Sequence, residues 1–244
     1  MNDELKFTVI SDTHYYSKKN FVDGFDKNKK PKPGQLFFSR SEEIVEHTFD
    51  CLCKNDTPDI VLISGDLTYN GERTSHDEMK AALKKLQQKG KRVYVITATH
   101  DYTTPRMPTY GIDKNDKYIE VESVKRTQLL KYYGDFGYNN AIAKHKSTMS
   151  YVAQLADGYR LFALNDDYGD PDCGFSDELM NWVKTEANNA KRDGQYIIAM
   201  THHPLVPPSP IYTAVAKGDM LNDYELRRKQ LSDLGFDFVL TGHT

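Results

Sequence analysis

The stretch Ile60-Val61-Leu62-Ile63-Ser64-Gly65-Asp66 carries the reading of the fold. Four large aliphatic residues in a row, too short for a helix, read as a strand buried on both faces. The run ends at a glycine, which permits a sharp turn and a close backbone approach, and the next side chain is a carboxylate. The same pattern repeats outward in both directions. Phe7 to Ile10 runs into Ser11-Asp12-Thr13-His14, and Val93 to Ile96 runs into Thr97-Ala98-Thr99-His100-Asp101. Tyr196 to Met200 runs into Thr201-His202-His203-Pro204, and Phe236 to Leu240 into Thr241-Gly242-His243-Thr244. Each strand stops at an Asp or a His.

Between these runs lie helical patterns. Ser41 to Lys54 carries Ile44, Val45, Phe49 and Leu52 at helical spacing, and Ser75 to Gln88 carries Met79, Ala82, Leu83 and Leu86. Ser176 to Ala190 opens on a cap-like Ser-Asp-Glu, and Asn222 to Leu234 is closed by Gly235. Apolar strands alternating with helices predict an α/β fold with its sheet covered on both faces. In such sheets ligands bind beyond the carboxyl ends of the strands, where these polar residues fall. No linker-like change of composition interrupts the 244 residues, so 1–244 reads as one domain.

A single strand-ending Asp or His is usually a cap or a turn former. Asp12, His14, Asp66, His100, His202, His203 and His243 together point instead to metal. Carboxylate and imidazole ligands suit Zn, Mn, Fe and similar ions. Asp12 and His14 are two apart, so in a continuing strand both face one side and one ion can take both. A carboxylate at Asp66 can bridge two ions, and two ions can clamp a phosphate for in-line attack. From these residues alone a single-ion hydrolase is also open. His47 and His76 fall in helix-like segments and read as surface or interhelical residues.

The ordered set Asp12-x-His14, Gly65-Asp66, His100-Asp101, His202-His203-Pro204 and Gly242-His243 resembles the motif series of the calcineurin-like metallophosphoesterases. The stretch from Gly65 to Leu86 resembles a bacterial branch of that family, many of whose members are exported or surface-anchored. The resemblance implies a sandwich of two mixed β-sheets flanked by helices. It implies two divalent or trivalent ions (Mn, Fe or Zn), with Asp12, His14 and Asp66 on the first and Asp66, His202 and His243 on the second. It places His100 near the leaving-group oxygen, as general acid or as a donor to the phosphate, with Asp101 orienting it. His203 reads as support for a ligand.

The chain departs from the family pattern twice. The third motif is usually Gly-Asn-His-Asp, with the Asn amide on the second ion; here Thr99 holds that place, a shorter and poorer ligand. The last motif is usually Gly-His-x-His, and this chain stops at Gly242-His243-Thr244, so it reads as incomplete at its C-terminus.

The resemblance implies a hydrolase of phosphate mono- or diesters acting on a small substrate, nucleotide-like compounds included. Three long connections leave the rim of the strand ends, and they are rich in aromatics: Tyr15, Tyr16, Phe21, Phe25, Phe37, Phe38, Tyr110, Tyr118 and Tyr212. These rings either pack a satellite core or, Tyr15 and Tyr16 foremost, stack on a flat leaving group. Arg106 is a candidate phosphate clamp.

The rival readings differ in class. A metal-free nucleotide-binding module requires a Gly-rich turn after the first strand, and Ser11-Asp12-Thr13-His14 has none. An idle metal-binding domain, a sensor or adhesion module, fits Thr99 and the missing last His. A DNA nuclease needs a basic track, whereas the formal charge is −3 and the run Lys27 to Lys32 reads as a solvated loop. Three cysteines make no disulfide framework; Cys51 and Cys53 read as buried packing and Cys173 as a free thiol. No apolar run is long enough to span a membrane. The expected compartment is cytoplasmic for the chain as written, and exported or cell-surface if a leader has been removed.

Overall fold

The computed structural model describes residues 4–22, 38–54, 56–115, 117–167, 173–212 and 217–243. Phe25, Phe37, the Lys27 to Lys32 run and Thr244 lie outside them.

The Ile60 run forms β2 (Ile60–Ser64), with all five residues buried. It sits between β1 (Phe7–Ile10) and β3 (Arg92–Ile96) in a parallel sheet, in register Val9 with Leu62 and Leu62 with Tyr94. Parallel strands require crossovers, and helices α1 (Ser41–Leu52) and α2 (Arg73–Gln88) supply them. They turn Val45, Phe49 and Leu52, and Met79, Leu83 and Leu86, into the core. Lys84 and Lys85 stay on the exposed side of α2.

The second sheet has five strands in the order β10 (Phe238–Leu240), β9 (Tyr196–Met200), β8 (Tyr159–Ala163), β7 (Ser150–Ala156) and β6 (Ala143–His145). β8, β9 and β10 are parallel, and β7 is antiparallel to both of its neighbours. This sheet is mixed, as the resemblance implied, while the first is parallel through its three strands. Helix α4 (Asp177–Arg192) packs Leu179, Val183, Ala187 and Ala190 over the second sheet. The Ser176 hydroxyl accepts from the Leu179 amide, and Asp177 and Glu178 in the first turn oppose Lys191 and Arg192 in the last. Helix α5 (Tyr224–Asp233) precedes β10, and its buried residues are Arg227 and Leu231.

The two sheets share one core, in which Leu62, Val93, Val95, Tyr151, Leu161 and Met200 are buried together. Polar groups also join them: the Tyr151 hydroxyl donates to the Val95 carbonyl at 3.0 Å. The short hairpin β4 (Gly111–Ile112) and β5 (Tyr118–Ile119) and the one-turn α3 (Leu129–Tyr133) fill the long connection after β3.

The strand and helix patterns read from the sequence all appear within a few residues. The antiparallel ribbon β6–β7–β8 is new. Its signal is Asp157-Gly158, a two-residue connection with Gly158 in a positive-φ conformation (φ +81°) that favours glycine. The ribbon's last strand, β8, leads into Asn165 and Asp166, and Asp166 holds the amides of His202 and His203. Cys51 and Cys53 are half-buried free thiols, not fully buried ones: Cys53 packs against the core just past the end of α1, whereas Cys51 lies off the stripe of Val45, Phe49 and Leu52 that α1 buries.

Candidate metal centre

The parallel ladder between β1 and β2 continues past the ends of the strands. The Asp12 amide donates to the Gly65 carbonyl (3.2 Å), His14 to Asp66 (3.0 Å) and Tyr15 to Leu67 (2.9 Å). In the other sheet Thr201 donates to Leu240 (3.0 Å) and Gly242 to His202 (2.9 Å). Two laddered loop pairs therefore face each other across the mouth of the sandwich.

These loops hold an unfavourable backbone. Asp12, His14, Asp66 and His243 all lie in the left-handed region, with φ of 55°, 39°, 52° and 58°. That conformation costs a non-glycine residue about 1–3 kcal/mol and collects at functional sites. Gly65 has φ +97°, and a Cβ there would stand 2.7 Å from Ala98 Cβ and 2.8 Å from His202 Nδ1. Gly242 is pressed against Ser11 Oγ and Asp12 Oδ2. Only glycine fits at either point.

The side chains converge on Asp66, which is 1% exposed. Its Oδ2 lies 3.1 Å from His202 Nε2 and 3.7 Å from His14 Nε2. His14 Nε2 is also 3.9 Å from Asp12 Oδ1, and His243 Nδ1 is 3.1 Å from His202 Nε2. The ligand atoms of Asp12, Asp66, His202 and His243 all lie within 4.8 Å of one another, as do those of His14, Asp66 and His100. Asp66 belongs to both groups. A third group joins His203 to His202 and His243.

The protons follow from the fixed contacts. His202 Nδ1 donates to the Ser64 carbonyl at 2.8 Å, which turns Nε2 to the cluster. Burial opposes the charge on His202, and Asp66 with Asp166 overcomes it, lifting His202 to about 9. Burial also opposes ionisation of Asp66, but His202, His100 and His14 hold it well below the usual carboxylate range. Burial, followed by His203 and His202, pushes His243 down to about 4.

His100 stands at the edge of this group, with its ring 4.7 Å from that of His14 and edge-on to it. Its amide donates to Asp66 Oδ1 at 3.0 Å. Its Nδ1 donates to the Tyr69 carbonyl (2.5 Å) and to Asn70 Oδ1 (2.9 Å), leaving Nε2 unconstrained. Asp101 does not orient this ring, which corrects the sequence expectation. Its Oδ1 accepts from the Thr68 amide (2.9 Å) and its Oδ2 from the Ala98 amide (2.9 Å). The carboxylate folds back onto the turn that carries it, fully buried, and ties that turn to the Asp66 loop. Asn70 is thus the positioning residue the sequence reading missed; the only local signal was the Asn-Gly pair of a turn close behind Asp66.

Thr99 lies half-buried on the same turn as His100. Arg106 is exposed on the following loop and takes part in none of the cluster's contacts. Tyr15 and Tyr16 are 5% and 0% exposed and cannot stack on a ligand, so they form core beneath the loops. His203 is held by Asp166 through Nδ1 at 3.2 Å, and Asp166 also accepts from the amides of His202 and His203. His76 is fully buried between α2 and α3, hydrogen-bonded to the Tyr133 hydroxyl (2.6 Å) and to the Asp101 carbonyl (2.9 Å). His145, unremarked in the sequence, packs on Trp182 and is far from this chemistry.

Carboxylate oxygens and imidazole nitrogens fit a divalent cation. An orphaned buried atom agrees with that: Asp66 Oδ2 has no hydrogen-bond partner. Asp66 Oδ2 is close to two imidazole nitrogens without hydrogen-bond geometry to either. The chain belongs to the calcineurin-like phosphoesterase family, whose model matches residues 5–244. Among solved structures it is similar to a dimetal phosphatase from Danio rerio, at 11% identity and TM-score 0.59, covering 93% of this chain and 77% of that one. It is also similar to a Staphylococcus aureus protein proposed to be a 5'-nucleotidase, solved with alpha-ketoglutarate. There the identity is 15%, the TM-score 0.47, and the coverage 97% of this chain and 44% of that one. No curated protein matches. The first likeness shows the fold, and family membership supports a metal-dependent phosphoester hydrolase in general terms.

Two outcomes follow from this geometry. Gly65→Ala puts a methyl group on a left-handed backbone against His202, and is expected to lower stability by at least ~1–3 kcal/mol. Urea unfolding of the two proteins checks it; equal midpoints would contradict the packing described. Burial lowers His76 to about 3 from an ordinary 6.5. The folded protein therefore binds that proton less readily than the unfolded chain. The stability His76 contributes is complete above pH 6.5 and is lost as pH falls toward 3. Between pH 7 and pH 5 wild type should lose up to about 2 kcal/mol more than His76→Gln.

Proposed function

We propose that this chain is one catalytic domain that hydrolyses small phosphoesters with two ions sharing Asp66. The observation that supports this most is the membership of Asp66 in both ligand groups, on a loop whose backbone is held in an unfavourable conformation. As the family resemblance implies, Asp12 and His14 would complete one site and His202 and His243 the other, although the Asp12 carboxylate also lies within reach of His202 and His243. Thr99, in the place of the family's Asn, would serve the second site as a ligand or by holding a water, or take no part in it. Bound there, the ions supply positive charge to the phosphoryl oxygens and the acidity that makes water a nucleophile at neutral pH.

The remaining chemistry belongs to the chain. With Nδ1 donating to the Tyr69 carbonyl, His100 is left with Nε2 as the ring nitrogen that can meet substrate. Protonated at Nε2, it donates to the leaving-group oxygen as the P–O bond breaks, and the attacking water loses a proton in exchange. Asn70 keeps the ring in that orientation, and Asp101 keeps the turn in place. His203, clamped by Asp166, braces His202. Among the described residues no helix is long and apolar enough to cross a membrane.

The test uses metal-stripped protein reloaded with Mn, Zn or Fe and assayed on paired phosphate monoesters and diesters. Metal-dependent turnover is expected, reduced about 10²–10⁴-fold in His100→Ala and abolished in Asp66→Asn. Tight metal binding with no turnover of any phosphoester would establish the idle metal-binding domain instead, the reading that Thr99 favours.

A further inference from the structure

A line of aromatic rings begins at His100 and runs outward. The Tyr69 ring lies 6.0 Å from the His100 ring, tilted by 34°. Tyr110 meets Tyr69 edge-on at 5.7 Å, and Tyr118 overlaps Tyr110 at 4.1 Å and 38°. Tyr69 and Tyr110 are half-buried, and Tyr118 is 56% exposed. The rings therefore rise from the atom that protonates the leaving group to an open surface.

This rim is built to stay in place. Tyr110 and Tyr118 flank and form the β4–β5 hairpin, in register Ile112 with Tyr118. The hairpin is pinned from three sides. Val22 donates to the Ile112 carbonyl (3.0 Å), the Tyr16 hydroxyl to the Tyr110 carbonyl (3.0 Å), and the Tyr110 hydroxyl to the Tyr69 hydroxyl (2.9 Å). Tyr16, which anchors it, is wholly buried. A large ring already ordered by its neighbours loses little entropy when something stacks on it. The contrast is the pair Tyr159 and Tyr196, stacked at 5.2 Å where β8 and β9 begin, at the opposite end of the strands from the cluster. That pair leads to no chemistry. Tyr118 does, through Tyr110 and Tyr69.

We propose that this rim is the leaving-group subsite and that it selects a planar heteroaromatic ring, so that the substrate class is nucleoside phosphoesters. The proposal rests on the phosphoesterase reading above. A nucleoside places its base one sugar away from the scissile P–O bond, on the side of the leaving oxygen. That is the side His100 occupies. Tyrosine faces accept any base, so the rim sorts flat leaving groups from saturated ones without distinguishing one base from another.

The experiment compares adenosine 5'-phosphate with ribose 5-phosphate, which release the same kind of primary alcohol and differ by the base. A preference of roughly 5- to 100-fold in kcat/KM for the nucleotide, carried mainly by KM, is expected. Tyr118→Ala should bring the ratio toward one, and Tyr118→Phe should preserve it. Saturation-transfer NMR on the metal-free protein should show the base protons of adenosine 5'-phosphate in contact, and less so in Tyr118→Ala. Turnover of both substrates with equal kcat/KM, or of a simple aryl phosphate but not the nucleotide, would overturn the subsite and leave the phosphoesterase standing. Turnover of no phosphoester with any metal would remove both readings.

Discussion

Asp66 is a carboxylate with almost no exposure to water, placed where three imidazoles meet. Burying such a charge is expensive unless it is paired, and this one is paired only if His14, His100 and His202 keep their positions. They keep them because of the backbone. Gly65 turns the chain sharply after β2, and the ladder between the Asp12 and Asp66 loops carries the sheet's register into the site. The left-handed conformations of Asp12, His14, Asp66 and His243 are the strain this requires, and the two sheets beneath supply the stability that sustains it. Without a cation, positive charge on His202 answers Asp66. A bound cation would take over that role.

A second buried carboxylate makes the opposing loop pair rigid. Asp166 receives the amides of His202 and His203, the Thr201 hydroxyl and the His203 ring. His203 and His202 overcome the burial of Asp166 and hold it ionised, down to about 2. The His202 ring is thereby fixed at both ends, by Ser64 at Nδ1 and by His243 at Nε2, with the Asp66 carboxylate 3.1 Å from Nε2. Asn165, which donates to the Thr97 hydroxyl at 2.9 Å, joins this loop to the one that carries His100. The site is thus a single polar network spanning two sheets, and displacement of one loop would disturb the others.

How far this was legible follows from how each residue acts. Asp12, His14, Asp66, His202 and His243 lie two to four residues beyond strands that the apolar runs declare, and the parallel register brings such positions together. Their convergence could therefore be argued from local pattern. Asn70 and Asp101 could not be assigned that way. Which acceptor faces His100 Nδ1 depends on a turn closing over the ring, and nothing in the spacing of His100-Asp101 says that the carboxylate folds back to Thr68 and Ala98. Tyr15 and Tyr16 mislead for a related reason. They follow His14 directly, but the ladder that positions His14 continues through Tyr15 to Leu67 and draws both rings inward.

The same division separates the chemistry from the selection of substrate. Residues at strand ends inherit their positions from hydrogen bonds that any sequence of that register would form. Tyr110 and Tyr118 have no such inheritance: they sit on a two-residue hairpin arm whose place is set by contacts with Val22, Tyr16 and Tyr69. Exchanging the arm would alter which leaving group fits while leaving Asp66 and its imidazoles untouched. A metal centre held by ladders and a rim held by side chains can therefore vary independently, and in this chain the rim is aromatic.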